Sequence, residues 1–189
     1  MISFRAAQRE DCRTIAELYS ISSDGVADYI WAKSVKKPGE ELLDVGEWRY
    51  EREDSVFSYK NCTIVEVGGE IAGMMVAFPM KASGEIDEDP VLAPYSRLEE
   101  DNSYYICGMA LFPEHRGKGI GHQFLALANK QAKLRRFNKL SLIVFEENSG
   151  AKRLYEEFGF KEVGREAIVA HPLIPHTGDA ILMVKIIEE

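Results

Sequence analysis

The residues of this chain best suited to chemistry are gathered in Arg116-Gly117-Lys118-Gly119-Ile120-Gly121, where three glycines alternate with two cations and an isoleucine. The run follows an apolar stretch and Pro113, and precedes a helical pattern from His122 to about Phe137. The first N–H groups of a helix have no partner inside it and sit at its positive end. A Cβ at Gly117, Gly119 or Gly121 would hold an anion away from the main chain or forbid the dihedrals that expose it. The run therefore reads as a cradle for a phosphate-bearing ligand. Ile120, Phe124, Leu127 and Ala128 recur at helical spacing behind it, so one face of the helix packs while its N-terminus meets the ligand. Two other glycine-based phosphate sites fit poorly. A dinucleotide fingerprint would need a third glycine where Phe124 stands, and Pro113 to Arg116 inserts a turn that fingerprint lacks. A Walker loop would follow Lys118 with Ser or Thr, and here Gly119 follows.

Arg116-Gly-Lys-Gly-Ile-Gly121, entered through Met109-Ala110-Leu111-Phe112-Pro113, resembles the Arg/Gln-x-x-Gly-x-Gly/Ala signature of the GNAT superfamily of acyl-CoA N-acyltransferases. Asn148-Ser-Gly-Ala-Lys-Arg-Leu-Tyr155-Glu-Glu-Phe-Gly-Phe160 is similar to that superfamily's second block, and the order and separation of the two match as well. The resemblance covers residues 104–160. It implies a single N-acetyltransferase domain over residues 1–189, with acetyl-CoA as cosubstrate, no metal, and a small-molecule or peptide amine as acceptor; homodimers are common among members. It implies that the cradle from Arg116 to Gly121 takes the CoA pyrophosphate. Backbone groups of Met109, Ala110 and Leu111 would pair with the pantetheine arm and offer an N–H to the thioester oxygen. Asn148 would contact the carrier as well as cap its helix, and Tyr155 would protonate the departing thiolate. A phenol with an ordinary pKa near ~10 stays protonated at neutral pH and can make that donation. A core aromatic on the apolar face of its helix is the competing reading of Tyr155.

Acetyl transfer also needs a neutral amine. Members acting on peptide N-termini often carry Glu five residues before the Asn; this chain has Ile143 there. Glu99, Glu100, Asp101, Tyr104, Tyr105, His171, His176 and an ordered water remain open as the proton acceptor. Cys107 has no dedicated base in its vicinity and reads as a packed thiol. A silent acyl-CoA sensor on the same fold is the alternative to an enzyme.

Composition narrows the classes further. The chain of 189 residues carries 31 acids against 23 bases, a formal charge of −8, which argues against nucleic acid as partner. Three widely spaced cysteines, Cys12, Cys62 and Cys107, support neither a disulfide framework nor a zinc site. The N-terminus lacks a signal-peptide pattern and no run reaches membrane-spanning length, so a reducing cytoplasm is the expected setting.

The elements that position these groups follow from periodicity. Ile2 to Ala6 predicts a strand, Gln8 to Ser20 a helix that ends or bends at Ser22-Ser-Asp-Gly25, and about Glu40 to Asp54 a second helix. Thr63 to Val67, Gly68-Gly69 and Ile71 to Met80 predict a hairpin. Lys81 to Ser103 holds seven acids and has no clear period, which reads as a solvated acidic loop or as a lid drawing an amine towards the strand beginning near Tyr104. Lys139 to Phe145 predicts a buried strand, and Ala151, Leu154, Tyr155 and Phe158 one face of a short helix stopped at Gly159. Two closing strands, Phe160 to Ala170 and Asp179 to Ile187, flank a proline-stiffened loop with His171 and His176. The expected fold class is α/β, mixed in strand direction, with helices on both faces. By resemblance the sheet is mostly antiparallel, and its two central parallel strands splay apart.

Overall fold

The computed structural model describes residues 1–188. Seven strands, β1 (Ile2–Ala6), β2 (Cys62–Val67), β3 (Glu70–Met80), β4 (Ser103–Leu111), β5 (Lys139–Phe145), β6 (Lys161–Ala167) and β7 (Asp179–Ile186), lie in the sheet order β1-β2-β3-β4-β5-β7-β6. Among the described residues six α-helices accompany them: α1 (Cys12–Ser22), α2 (Val26–Ala32), α3 (Leu42–Glu51), α4 (Ala93–Arg97), α5 (Ile120–Leu134) and α6 (Ser149–Glu157). The sheet is mostly antiparallel, with β4 and β5 as its parallel pair. Among the described residues no helix is long and apolar enough to cross a membrane.

The chain condenses into two compact units. The first comprises residues 1–77, 108–118 and 173–175; the second comprises 78–107, 119–172 and 176–188.

In the first unit β1 pairs antiparallel with β2, from Ile2↔Val67 to Ala6↔Thr63, and β2 continues through Gly68-Gly69 into β3 as the alternating apolar pattern requires. Helix α1 starts later than its periodicity predicts, because Arg9–Asp11 forms a 3₁₀ turn first. Asp11 closes that turn, accepting from the Gln8 N–H at 2.7 Å and from both terminal nitrogens of Arg5 at 2.7 and 3.0 Å. Helix α2 was not anticipated from the sequence. Its Trp31 is buried, and the Tyr19 ring of α1 gathers the rings of Trp31, Tyr50 and Phe57 around it at 5.5–6.3 Å. The end of α1 then reaches β4: a Cβ on Gly108 would stand 2.7 Å from Ser22 Oγ and 3.0 Å from the Tyr19 ring.

In the second unit β5 is the organising strand, with Leu140, Leu142 and Val144 buried. It pairs antiparallel with β7 along its whole length, Lys139↔Ile186 to Phe145↔Ala180, and β6 adds to the far side of β7. Its parallel ladder with β4 consists of Tyr104↔Leu140 and Tyr105↔Ser141; among the described residues it does not continue to Ile106 or Cys107. Beside it, Ser103 and Ser141 share a buried hydrogen bond of 2.6 Å. The acidic stretch divides in two. Ser83 to Glu88 is exposed, whereas Val91, Ala93, Pro94 and Leu98 are buried and carry the short helix α4, which periodicity did not reveal.

Candidate active site

The glycine-rich run begins in a 3₁₀ turn, Pro113–His115, and ends in the first turn of α5. The N–H of Arg116 is consumed in that turn, donating to the Pro113 carbonyl at 3.2 Å, so the cradle starts one residue later than the sequence suggests. Among the described residues the N–H groups of Gly117, Lys118, Gly119, Ile120 and Gly121 donate to no other protein group. Gly117 and Gly119 hold left-handed backbone, φ 71° and 74°, a region L side chains rarely adopt, and an added Cβ at either meets no heavy atom within 4 Å. The main chain there is thus exposed on an open side. Gly121 works differently. A Cβ on it would stand 2.9 Å from Leu154 Cδ2, so this glycine lets α5 and α6 approach. Ile120, fully buried, anchors the first turn of α5 together with Phe124 and Ala128. The two cations fold back on their own loop, Arg116 Nε donating to the Leu111 carbonyl at 3.2 Å and Lys118 Nζ to the Glu114 carbonyl at 2.9 Å. Their charge is held at the turn.

Upstream, Met109 and Leu111 are half-buried and Ala110 is buried. The main chain at Ala110 runs unusually close to β3: a Cβ on Gly73 would lie 2.3 Å from the Ala110 carbonyl oxygen and 3.1 Å from Leu111 Cα. Sequence reasoning gave Gly73 no role, although a glycine inside a strand is the recognised signal for such an approach.

Helix α6 carries the second block. Asn148 is its N-cap, and its Oδ1 accepts the Ala151 N–H at 3.2 Å, which leaves the amide NH₂ to donate elsewhere. Tyr155, half-buried two residues before the helix ends, packs against Phe160 with ring centroids 5.9 Å apart.

The candidate proton acceptors separate once their partners are known. Tyr104 turns towards α5, donating to Gln131 Oε1 at 3.1 Å beside the Phe137 ring. Glu100 is paired with Lys139, and Asp101 accepts the Ala82 N–H at 2.9 Å. His176 stacks on Phe145 at 4.4 Å, with its Nδ1 3.2 Å from Glu147; that carboxylate also takes the Thr177 N–H and hydroxyl, and these hydrogen bonds hold it below the usual range. Tyr105 sits in a different environment. Burial keeps its phenol well above its ordinary pKa, and Cys107, Glu99 and Tyr155 lie near enough to push in the same direction. The fold therefore brings Cys107, Glu99 and Tyr155 each within electrostatic reach of the Tyr105 phenol. No spacing rule relates residues 99, 105 and 155, so this convergence is tertiary information.

An acetyltransferase (GNAT) family model matches residues 25–160. The uncharacterized N-acetyltransferase YycN of Bacillus subtilis (strain 168) is 41% identical over 58 residues, a stretch spanning 31% of this chain and 37% of that relative. The fold is shared with an N-acetyltransferase from Staphylococcus aureus Mu50, with a TM-score of 0.69 at 21% identity over 96% of this chain and 99% of that one. It is shared also with YncA of Salmonella typhimurium, solved with its cofactor acetyl-CoA, with a TM-score of 0.63 at 16% identity over 100% of this chain and 95% of that one.

Proposed function

The chain belongs to the GNAT family of acetyltransferases, and on that footing we propose that it moves an acetyl group from acetyl-CoA to a primary amine by direct transfer in a ternary complex. The observation that carries this reading is the run of uncommitted N–H groups from Gly117 to Gly121 on an open, left-handed main chain. Such groups suit a diphosphate, and the Asn148 amide adds a donor. YncA's acetyl-CoA supports the choice of carrier. Acetyl-CoA supplies the activated acyl group as a thioester. Main-chain groups of Met109 to Leu111 align its arm and stabilise the carbonyl oxygen, and the Tyr155 phenol donates a proton to the departing sulfur. A small amine is the favoured acceptor, a peptide or protein amine the second. The whole chain acts as one catalytic domain in this reading, in a cytoplasmic setting.

A screen of small and peptide amines with purified protein, following free CoA release, tests it. The expected result is acceptor-dependent release that falls about 100-fold or more in Tyr155→Phe, with acetyl-CoA affinity within twofold of the parent. Acetyl-CoA binding without turnover of any amine would make the chain a sensor instead.

A further inference from the structure

Resting on that reading, we propose that Arg49 of α3 receives a carboxylate carried by the acceptor, so that the amine acetylated belongs to an acid: a free amino acid or an acidic peptide. The acids on and beside α3 are committed to other cations. Asp44 and Glu47 pair with Arg13 at 2.5 and 3.3 Å, Glu51 with Arg9 at 3.7 Å and Glu53 with Lys60 at 2.6 Å. Arg49 is half-buried, and among the described residues its side chain makes no hydrogen bond and no ion pair. Its guanidinium lies over the Phe57 ring, 5.9 Å from the centroid. A second cation stands beside it. Arg52 donates from Nε to the Arg49 carbonyl at 3.5 Å, lies over the Trp48 ring at 5.1 Å, and has no carboxylate partner among the described residues either. Burial and the Arg52 charge pull the Arg49 pKa down from its ordinary value, yet a guanidinium does not give up its proton in a protein. The helix C-terminus and the Phe57 face favour a cation there, but neither needs it out of water. A charge so placed is costly unless an anion meets it.

Contacts lead from this arginine to β4. The Phe57 ring stands edge-on to the Tyr19 ring with 6.3 Å between centroids, and Tyr19 closes on Gly108, where an added Cβ would lie 3.0 Å from that ring. Gly108 precedes Met109, whose main chain aligns the thioester in the proposed reaction. Gly108, Tyr19, Phe57 and Arg49 thus form one wall, and all four belong to the first compact unit. Tyr19 and Phe57 are half-buried, so ring surface remains for a ligand to lie against. An acceptor along this wall sets its amine at β4 and its carboxylate at α3. The guanidinium fork takes a carboxylate through two parallel N–H···O bonds. One fork is on offer, since Arg52 is held on Trp48, and it matches a singly charged carboxylate better than a doubly charged phosphate.

The test compares the parent, Arg49→Gln and Arg49→Lys on matched acceptors: amino acids and acidic peptides, each beside the same molecule with its carboxylate converted to the carboxamide. The parent should favour the acid of a pair by about tenfold or more in kcat/KM. Arg49→Gln should lose about 10- to 150-fold on the acid, chiefly through KM, and under about threefold on the carboxamide, with acetyl-CoA affinity within about twofold. Arg49→Lys, which keeps the charge but not the fork, should fall between the two. Arg9→Gln, the same charge change on an exposed arginine, should match the parent. A loss confined to the amino acids or to the peptides supports the proposal and identifies the source of the carboxylate. Equal losses on acid and carboxamide would make Arg49 part of the packing alone and overturn it. So would no loss on either, or a parent that prefers carboxamides or phosphate esters. A second measurement needs no variant: in the parent, the best acceptor with hydrogen in place of its amine should inhibit competitively against that acceptor, and its carboxamide should not. Inhibition by both alike, or by neither, overturns the proposal. A parent that binds acetyl-CoA but acetylates no amine sinks the underlying reading and this proposal with it; a parent that acetylates amines without regard to a carboxylate sinks only the proposal.

Discussion

Gly119→Ala and Gly84→Ala form a matched pair. Both glycines hold left-handed backbone, φ 74° and 72°, and at both an added Cβ meets no heavy atom within 4 Å. In the ligand-free protein each alanine therefore carries only the conformational cost, about 1–2 kcal/mol, offset by roughly 0.4–1 kcal/mol from the stiffer unfolded chain. A net loss of about 1 kcal/mol lowers Tm by roughly 2–4 °C in a chain of this size. The two variants part on ligand binding. At Gly119 the methyl group enters the space from which a phosphate oxygen would reach the free N–H groups. Loss of one hydrogen bond to a charged group, about 1.5–3 kcal/mol, weakens binding roughly 10- to 150-fold. Gly84 lies in the exposed half of the acidic stretch, beside Glu85, Asp87 and Glu88, whose charge disfavours a diphosphate. Calorimetric unfolding should therefore show the same drop in both variants, and titration with acetyl-CoA should show weaker binding in Gly119→Ala alone. Equal drops in Tm with parent-like affinity in both would refute the reasoning.

Three further predictions concern the scaffold. Asn148→Ala removes the cap on the Ala151 N–H and should cost about 1 kcal/mol, read as a lower Tm, while Asn148→Asp should retain most of it. Gly73→Ala sets a methyl group against the Ala110 carbonyl, which is backbone and cannot rotate away, so thermal unfolding should report a loss of about 1–3 kcal/mol or more. The Arg5 guanidinium holds the Asp11 carboxyl below its usual range. Its contribution is therefore complete above the ordinary Asp pKa of ~3.9 and lost as pH falls from there through the lower folded-state value. Unfolding midpoints taken down that range should fall more steeply in the parent than in Asp11→Asn, and parallel slopes would contradict the linkage.

Local pattern made much of this molecule legible. The alternation around Gly68-Gly69, the apolar run Lys139 to Phe145 and the spacing Ala151, Leu154, Tyr155 and Phe158 each specify an element without help from the rest of the chain, and β2, β3, β5 and α6 stand there. Helix α2 escaped because Val26–Ala32 is short and rich in β-branched and aromatic residues, so that packing of Trp31, not propensity, decides it. Helix α4 has five residues, too few for a period, inside a stretch dominated by its acids. At the site the glycine run was legible as a whole, but not the division of labour within it. That the Arg116 N–H is already spent, and that Gly121 answers to Leu154, depend on contacts outside the motif. Of the acids weighed as proton acceptors, Glu100 and Asp101 prove to be tied to Lys139 and to the Ala82 N–H, partners that only the fold supplies.

In the proposed reaction the main-chain N–H groups from Gly117 to Gly121 grip a diphosphate. Following the ¹H and ¹⁵N resonances of those amides during titration with acetyl-CoA tests it directly. Saturable downfield shifts of the amide protons of Gly117, Gly119 and Ile120, smaller in Gly119→Ala, are the expected result. Saturable binding that leaves these amides unmoved, with the shifts falling elsewhere in the chain, would contradict it.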